Sequence, residues 1–199
     1  MNLVERAKHI LINPKKEWEI IKGENLTIVE MYIQYAVVLA AIPAIAGFIG
    51  QSLIGGSFLG FTKRVPISAG ISGMIITYIF SLASIFILGY TIDFFAPHFG
   101  SKKDLVASIK VAVFSYTAIW IIGILNVIPG LFILVIIGSL YSLYLFYLGI
   151  KSVKEVPEDK LLPYFIVTIL AAIAIYVISG AIVYAMMMRS FSPIPTTVF

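Results

Sequence analysis

The chain has 199 residues, of which 60% are hydrophobic and 12% charged, with a formal net charge of +4 and a mean hydropathy of +1.03. Soluble domains hold about 45–50% apolar and about 25% charged residues, so this composition excludes a water-soluble globule and points to an integral membrane protein. The absence of cysteine excludes disulfides, thiolate metal sites and a cysteine nucleophile, and the basic residues read as topology signals beside apolar runs, not as a nucleic-acid footprint.

Residues 1–12 set Leu3, Val4, Ala7, Ile10 and Leu11 at helical spacing against Glu5, Arg6, Lys8 and His9, which predicts an amphipathic helix lying in an interface. Asn13 and Pro14 read as a cap and a first-turn proline opening a second short helix through Ile21, with Trp18 as its anchor in the headgroup layer. Packing of this segment on the ends of the other helices is compatible with that reading. Gly23 to Asn25 break the helix. Thr27 and Glu30 have the spacing of a capping box, with Leu26 and Met31 as its hydrophobic staple, so Glu30 reads as a cap and not as a proton carrier. Residues 1–30 are too charged for a cleavable signal peptide.

Five runs are then long enough to cross a hydrocarbon core of about 30 Å. The first, Met31 to Ile54, contains Pro43, which removes a hydrogen bond to Leu39 and is expected to kink the helix. Gly55 to Gly60 lack the lysine and strand-to-helix context of a phosphate loop and read as a turn. The second run, Ile67 to Phe95, has Gly70, Gly73 and Gly89 for close helix contact, and one charge, Asp93. Ser101 and Asp104 offer a cap for the third, Lys102 to Leu125, in which Lys110 lies about 12 Å along the axis from Lys102. An uncharged turn at Asn126 to Gly130 makes a hairpin with the fourth run, Leu131 to Ile150, where Tyr141, Tyr144 and Tyr147 suggest an aromatic belt. The charged linker Lys151 to Lys160 precedes the fifth, Leu161 to Met188. The fold class expected is therefore all-α: a polytopic membrane bundle of five helices (27–190), an amphipathic cytosolic segment (1–26) and a short extracytoplasmic tail (191–199) expected to lack order.

Five crossings place the ends on opposite sides. About ten basic residues then fall on the amino-terminal side against three on the other, which puts the amino terminus in the cytoplasm and the carboxyl terminus outside the cytoplasmic (inner) membrane.

Asp93 and Lys110 should both lie near the cytoplasmic ends of consecutive antiparallel helices, where a salt bridge between them is feasible. Tyr90 and Tyr116 are candidates to extend this polar site, together with Thr91, Ser108, Ser115 and Thr117. Such serines and threonines more commonly bond their own backbone or join helices. The pair is read either as a structural ion pair or as a gated polar site. No set of residues supplies nucleophile, base and stabiliser, and no metal cluster or nucleotide loop is present in the sequence, so no catalytic, metal or cofactor residue is assigned and an enzyme is not expected.

Leu11-Ile12-Asn13-Pro14-Lys15-Lys16-Glu17-Trp18-Glu19-Ile20-Ile21, then Glu24 and Ala41-Ile42-Pro43-Ala44, together with Phe99-Gly100-Ser101-Lys102, Tyr116, Ile128-Pro129 and Tyr141-Ser142-Leu143 through Gly149, resemble in order and spacing the prokaryotic members of the Yip family. The resemblance spans nearly the whole chain and implies five spans with a cytosolic amino terminus. Eukaryotic members are associated with Rab-type GTPases, vesicle traffic and self-association. Their longer amino-terminal region with an Asp-Leu-Tyr-Gly-Pro-like motif is absent here, and Tyr116 is followed by Thr117-Ala118-Ile119-Trp120 without the family's usual proline, so Rab-type GTPase binding is not supported. The expected partners are the lipid bilayer and a second copy or other membrane proteins, with no nucleic acid. The function expected is non-enzymatic organisation of membrane or protein assemblies, and the alternative is a small transporter or channel for ions, protons or lipid working through Asp93 and Lys110.

Overall fold

A computed structural model describes residues 2–58 and 61–190; the tail 191–199 and residues 59–60 of the glycine-rich turn lie outside the described residues. The chain opens with α1, Leu3–Ile12, whose first turn is closed by the Asn2 side chain accepting from the Glu5 amide at 3.3 Å. Helix α2, Pro14–Gly23, starts on proline at its first position, where a missing N–H costs nothing.

Five helices long and apolar enough to span a bilayer follow: Ile28–Ile54, Ile67–Phe99, Leu105–Val127, Ile133–Val153 and Glu158–Ile182. The protein is an all-α polytopic bundle, and the spans fall within a few residues of those expected. The reason is local chemistry at the ends. The Thr27 amide donates to Glu30 Oε2 at 2.8 Å and the Glu30 amide donates back to Thr27 Oγ1 at 3.2 Å, a reciprocal cap that satisfies two otherwise orphaned donors. The third span begins later than expected because Asp104 alone caps it, accepting from the Ala107 amide at 2.9 Å. Ser101 is not part of that cap; its hydroxyl donates to the Lys154 carbonyl at 2.5 Å.

Within the first span, Pro43 sits in an α-helical stretch, Val37–Phe48, bracketed by π-helical turns at Tyr32–Ala36 and Ile49–Ile54. The third span lies directly against it: a Cβ added to Gly123 would come within 2.6 Å of Pro43 Cβ. The turn after the first span contains two three-residue antiparallel strands, β1 (Gly56–Phe58) and β2 (Phe61–Lys63), with Ser57 opposite Thr62.

The third span is the centre of the bundle, with 61% of its most apolar window buried against 6% for the fifth. It is flanked by the first, second and fourth spans, while the fifth packs mainly on the second. In the core the Tyr35 ring lies 4.9 Å from Phe114 and 6.4 Å from Trp120. Tyr35 Oη and Thr117 Oγ1 are 2.7 Å apart, and Thr117 donates onward to the Phe114 carbonyl at 2.7 Å. Ser115 and Thr91 likewise donate to carbonyls four residues back, so these hydroxyls are occupied by their own helices. Large apolar side chains such as Ile75, Ile79, Phe86 and Leu170 remain on the outside, as lipid contact requires.

Trp18 is fully buried, which corrects its expected place as a headgroup anchor. Helix α2 packs on the fourth span, and the indole lies against Gly149, where a Cβ would come within 2.8 Å of its ring, with Phe114 edge-on at 6.4 Å. An apolar ring is accommodated as well by protein as by lipid. Only the absence of a side chain at Gly149 lets α2 come this near. Gly149→Val is expected to expel the indole at a cost of about 1–3 kcal/mol, read as a red-shifted Trp18 emission in a Trp120→Phe background.

Candidate functional site at the charged end of the bundle

The charged side chains concentrate where the beginnings of the first and third spans meet the ends of the second and fourth. Two buried clusters form there. In the first, Arg6 of α1 turns into the protein despite its place among charged neighbours. Its guanidinium bonds Glu17 at 2.5 Å and also Glu24, and lies 5.8 Å from the centroid of Phe114, a cation–π distance. Arg6 and Glu17 are both nearly excluded from solvent. Removing two such charges from water is tolerated because each is paired and hydrogen-bonded.

Lys110 reaches the same cluster from the third span. Its ammonium donates to the carbonyls of Ile21, at 3.0 Å, and Glu24, at 2.5 Å. These are carbonyls at the end of α2, where a helix carries partial negative charge and unsatisfied acceptors. The Tyr141 hydroxyl holds α1 in a similar way, donating to the Leu11 carbonyl at 2.6 Å. Together these contacts clamp α1 and α2 onto the bundle.

The second cluster is built on Asp93. Its carboxylate accepts the Asp104 amide at 2.7 Å and the Ser108 hydroxyl at 3.4 Å, and stands 3.8 Å from the Lys154 ammonium. Lys154 also donates to the carbonyls of Lys102 at 2.8 Å and Asp104 at 3.4 Å. Burial pushes the Lys154 ammonium below its usual value, with the charges of Asp93 and Asp104 opposing. Beside the cluster Tyr164 of the fifth span donates to the Ile92 carbonyl at 2.5 Å and stacks on Phe99 at 5.1 Å.

The structure gives Asp93 and Lys110, between which the sequence makes a salt bridge feasible, separate partners. Among the described residues no hydrogen bond or ion pair joins them: Asp93 faces Lys154, and Lys110 faces backbone. Tyr90, three residues before Asp93 on the same helix, is exposed, and Tyr116 packs against Trp120 at 5.8 Å. The residues missed were Arg6, Glu17, Glu24 and Lys154. The sequence places Lys154 in the charged linker, yet it is the C-cap of the fourth span, and Glu155 follows it with a left-handed φ of +48°. That turn is uncommon for a residue other than glycine.

Outside the clusters, Lys22 and Glu155 form an exposed ion pair at 2.6 Å. The Lys22 hydrogen bond holds the Glu155 carboxyl below its usual 4.5, and the same bond raises the Lys22 ammonium above its usual 10.5. The pair therefore contributes fully between these two values, and is lost as pH falls through the lowered carboxyl value or rises through the raised ammonium value. The stability difference between wild type and Glu155→Gln, followed as thermal midpoint in detergent, should shrink on acidification below 4.5 and in high salt.

The Yip1 domain family model matches residues 8–182. The chain belongs to the Yip1 domain family. The match runs from within α1 into the fifth span, so it covers the end of α1, all of α2 and the five spans. The chain is also 26% identical over 129 residues to the inner membrane protein YohC of Escherichia coli strain K12, covering 64% of this chain and 66% of that relative; YohC of a second Escherichia coli strain, O6:H1, matches equally. No solved structure matches.

Proposed function

We propose that this Yip1-domain protein is a non-enzymatic organiser of membrane or protein assemblies, seated in the cytoplasmic membrane with its amino terminus and charged end facing the cytoplasm. The observation that carries this reading is the occupation of both intramembrane charges. Asp93 and Lys110 are committed to neighbouring amides, hydroxyls, carbonyls and Lys154, which is how structural charges are accommodated at an interface. The orientation is supported by the excess of lysine and arginine at that end, and the membrane by the likeness to the inner membrane protein YohC. The surfaces available for assembly are the lipid-facing spans and the outward face of α1 and α2, on which Val4, Ile12 and Ile20 are exposed.

The competing transport reading rests on Pro43 between two π-helical turns, since π-turns recur at functional sites. Proteoliposomes holding the purified chain are expected to pass protons, common ions and lipid no faster than empty vesicles, while cross-linking in intact membranes captures complexes containing it. Flux that Asp93→Asn removes without altering thermal unfolding would overturn the organiser reading in favour of transport.

A further inference from the structure

A cleft of about 400 Å³ opens at the charged end, between the α2-to-first-span connection and the start of the third span. Its charged lining is balanced: Lys22 and Lys110 against Glu24 and Asp104. The remaining walls include the apolar side chains of Leu26, Val106 and Val153, and Val106 is exposed. We propose that this cleft holds the headgroup of a zwitterionic phospholipid bearing a primary ammonium, of the phosphoethanolamine type.

Charge is the first argument. Two cations and two carboxylates offer no net field to an anion, whereas a headgroup with one phosphate and one ammonium can satisfy both signs at once. The second argument is unused hydrogen-bonding capacity. One Glu24 oxygen is taken by Arg6, but Oε2 is buried and has no partner among the described residues, and a buried unsatisfied carboxylate oxygen is costly. An ammonium N–H is the donor it lacks, and the Glu24 side chain, 31% exposed as a whole, meets one by turning its carboxyl toward the cleft. Lys110 uses two ammonium hydrogens on the Ile21 and Glu24 carbonyls and has three, leaving one for a phosphate oxygen. Lys22, half exposed in its pair with Glu155, is the second phosphate ligand.

The third argument is depth. Asp104 caps the third span and Lys110 follows six residues later, about 9 Å along the axis, so the cleft extends from a span end toward the hydrocarbon. Leu26, Val106 and Val153 then meet the glycerol and first acyl carbons, contacts that a water-soluble zwitterion could not use. A choline headgroup fits less well because its quaternary nitrogen has no N–H for Glu24. This assignment stands on the membrane-embedded fold and is independent of whether the chain organises assemblies.

The test is lipid retention by the full chain in native mass spectrometry, exchanged from detergent into equal mixtures of phosphatidylethanolamine, phosphatidylcholine and phosphatidylglycerol of identical acyl chains. Phosphatidylethanolamine should be retained preferentially, and Glu24→Gln should reduce that preference by about tenfold, the size of one charge-assisted hydrogen bond. Because Glu24 also binds Arg6, Val106→Trp serves as a second variant that fills the cleft from its exposed side and leaves the ion pairs intact; it should abolish the preference with unfolding temperature unchanged. Soluble phosphoethanolamine should bind far more weakly than the lipid. Equal retention of the three lipids, a preference that survives both variants, or soluble phosphoethanolamine binding as tightly as the lipid would each overturn the proposal.

Discussion

Arg6→Ala is expected to release the amino-terminal helices. The substitution leaves Glu17, whose side chain is 6% exposed, with only the exposed His9 imidazole 3.7 Å away, and breaking a buried pair from one side costs about 3–5 kcal/mol. The protein can relieve that cost by undocking α1 and α2, which exposes Ile10, Trp18 and Ile21, now fully buried. The expected signature is fast amide exchange across residues 3–23 and a lower thermal midpoint in detergent. Arg6→Met combined with Glu17→Leu and Glu24→Gln should recover much of the loss, because both carboxylates that Arg6 pairs are then gone and apolar volume remains. Unchanged exchange in Arg6→Ala would show that the clamp lies elsewhere.

Asp93 and Lys154 should prove to be the energetic couple, and Asp93 and Lys110 should not. A double-mutant cycle between Asp93→Asn and Lys154→Met is expected to give a coupling of about 1–3 kcal/mol, and the same cycle with Lys110→Met a value within about 0.5 kcal/mol. Asp93→Asn alone is damaging because it leaves the Lys154 ammonium, 1% exposed in its side chain, with carbonyls and only the weaker influence of the Asp104 charge, a loss of about 3 kcal/mol. Lys110→Met should instead loosen the end of α2, visible as exchange of the Ile21 to Leu26 amides. A large Asp93–Lys110 coupling would restore the bridge expected from sequence.

The two corrections have different physical origins. The spans were legible because an unpaired backbone cannot enter lipid, so each crossing must be one long apolar helix, and the Thr27–Glu30 box was legible because its partners are three residues apart. Trp18 was not, since hydropathy ranks an indole the same whether its apolar surroundings are lipid or Gly149 and Phe114. Lys110 was harder still. Its acceptors are main-chain carbonyls of Ile21 and Glu24, which have no side-chain signature at all. Arg6 looked like one more residue of a solvated face, and only the docking of α2 brings Glu17 and Glu24 to it. Lys154 was assigned to a linker because the fourth span was ended at Ile150; the helix runs to Val153, which turns that lysine back over Asp93.

The clamp on α1 and α2 also fixes an order of events. Tyr141 and Leu11 are 130 residues apart in the chain, and the Ser152 hydroxyl bonds Glu19 across 133; Gly149, which receives Trp18, is equally distant in sequence. Contacts of such separation form late, after the entropy of closing the intervening loop has been met. Helices α1 and α2 therefore have no finished seat until the fourth span, which follows them in the chain, has been inserted. During that interval their apolar faces are uncovered, so two helices made before the spans settle only after them.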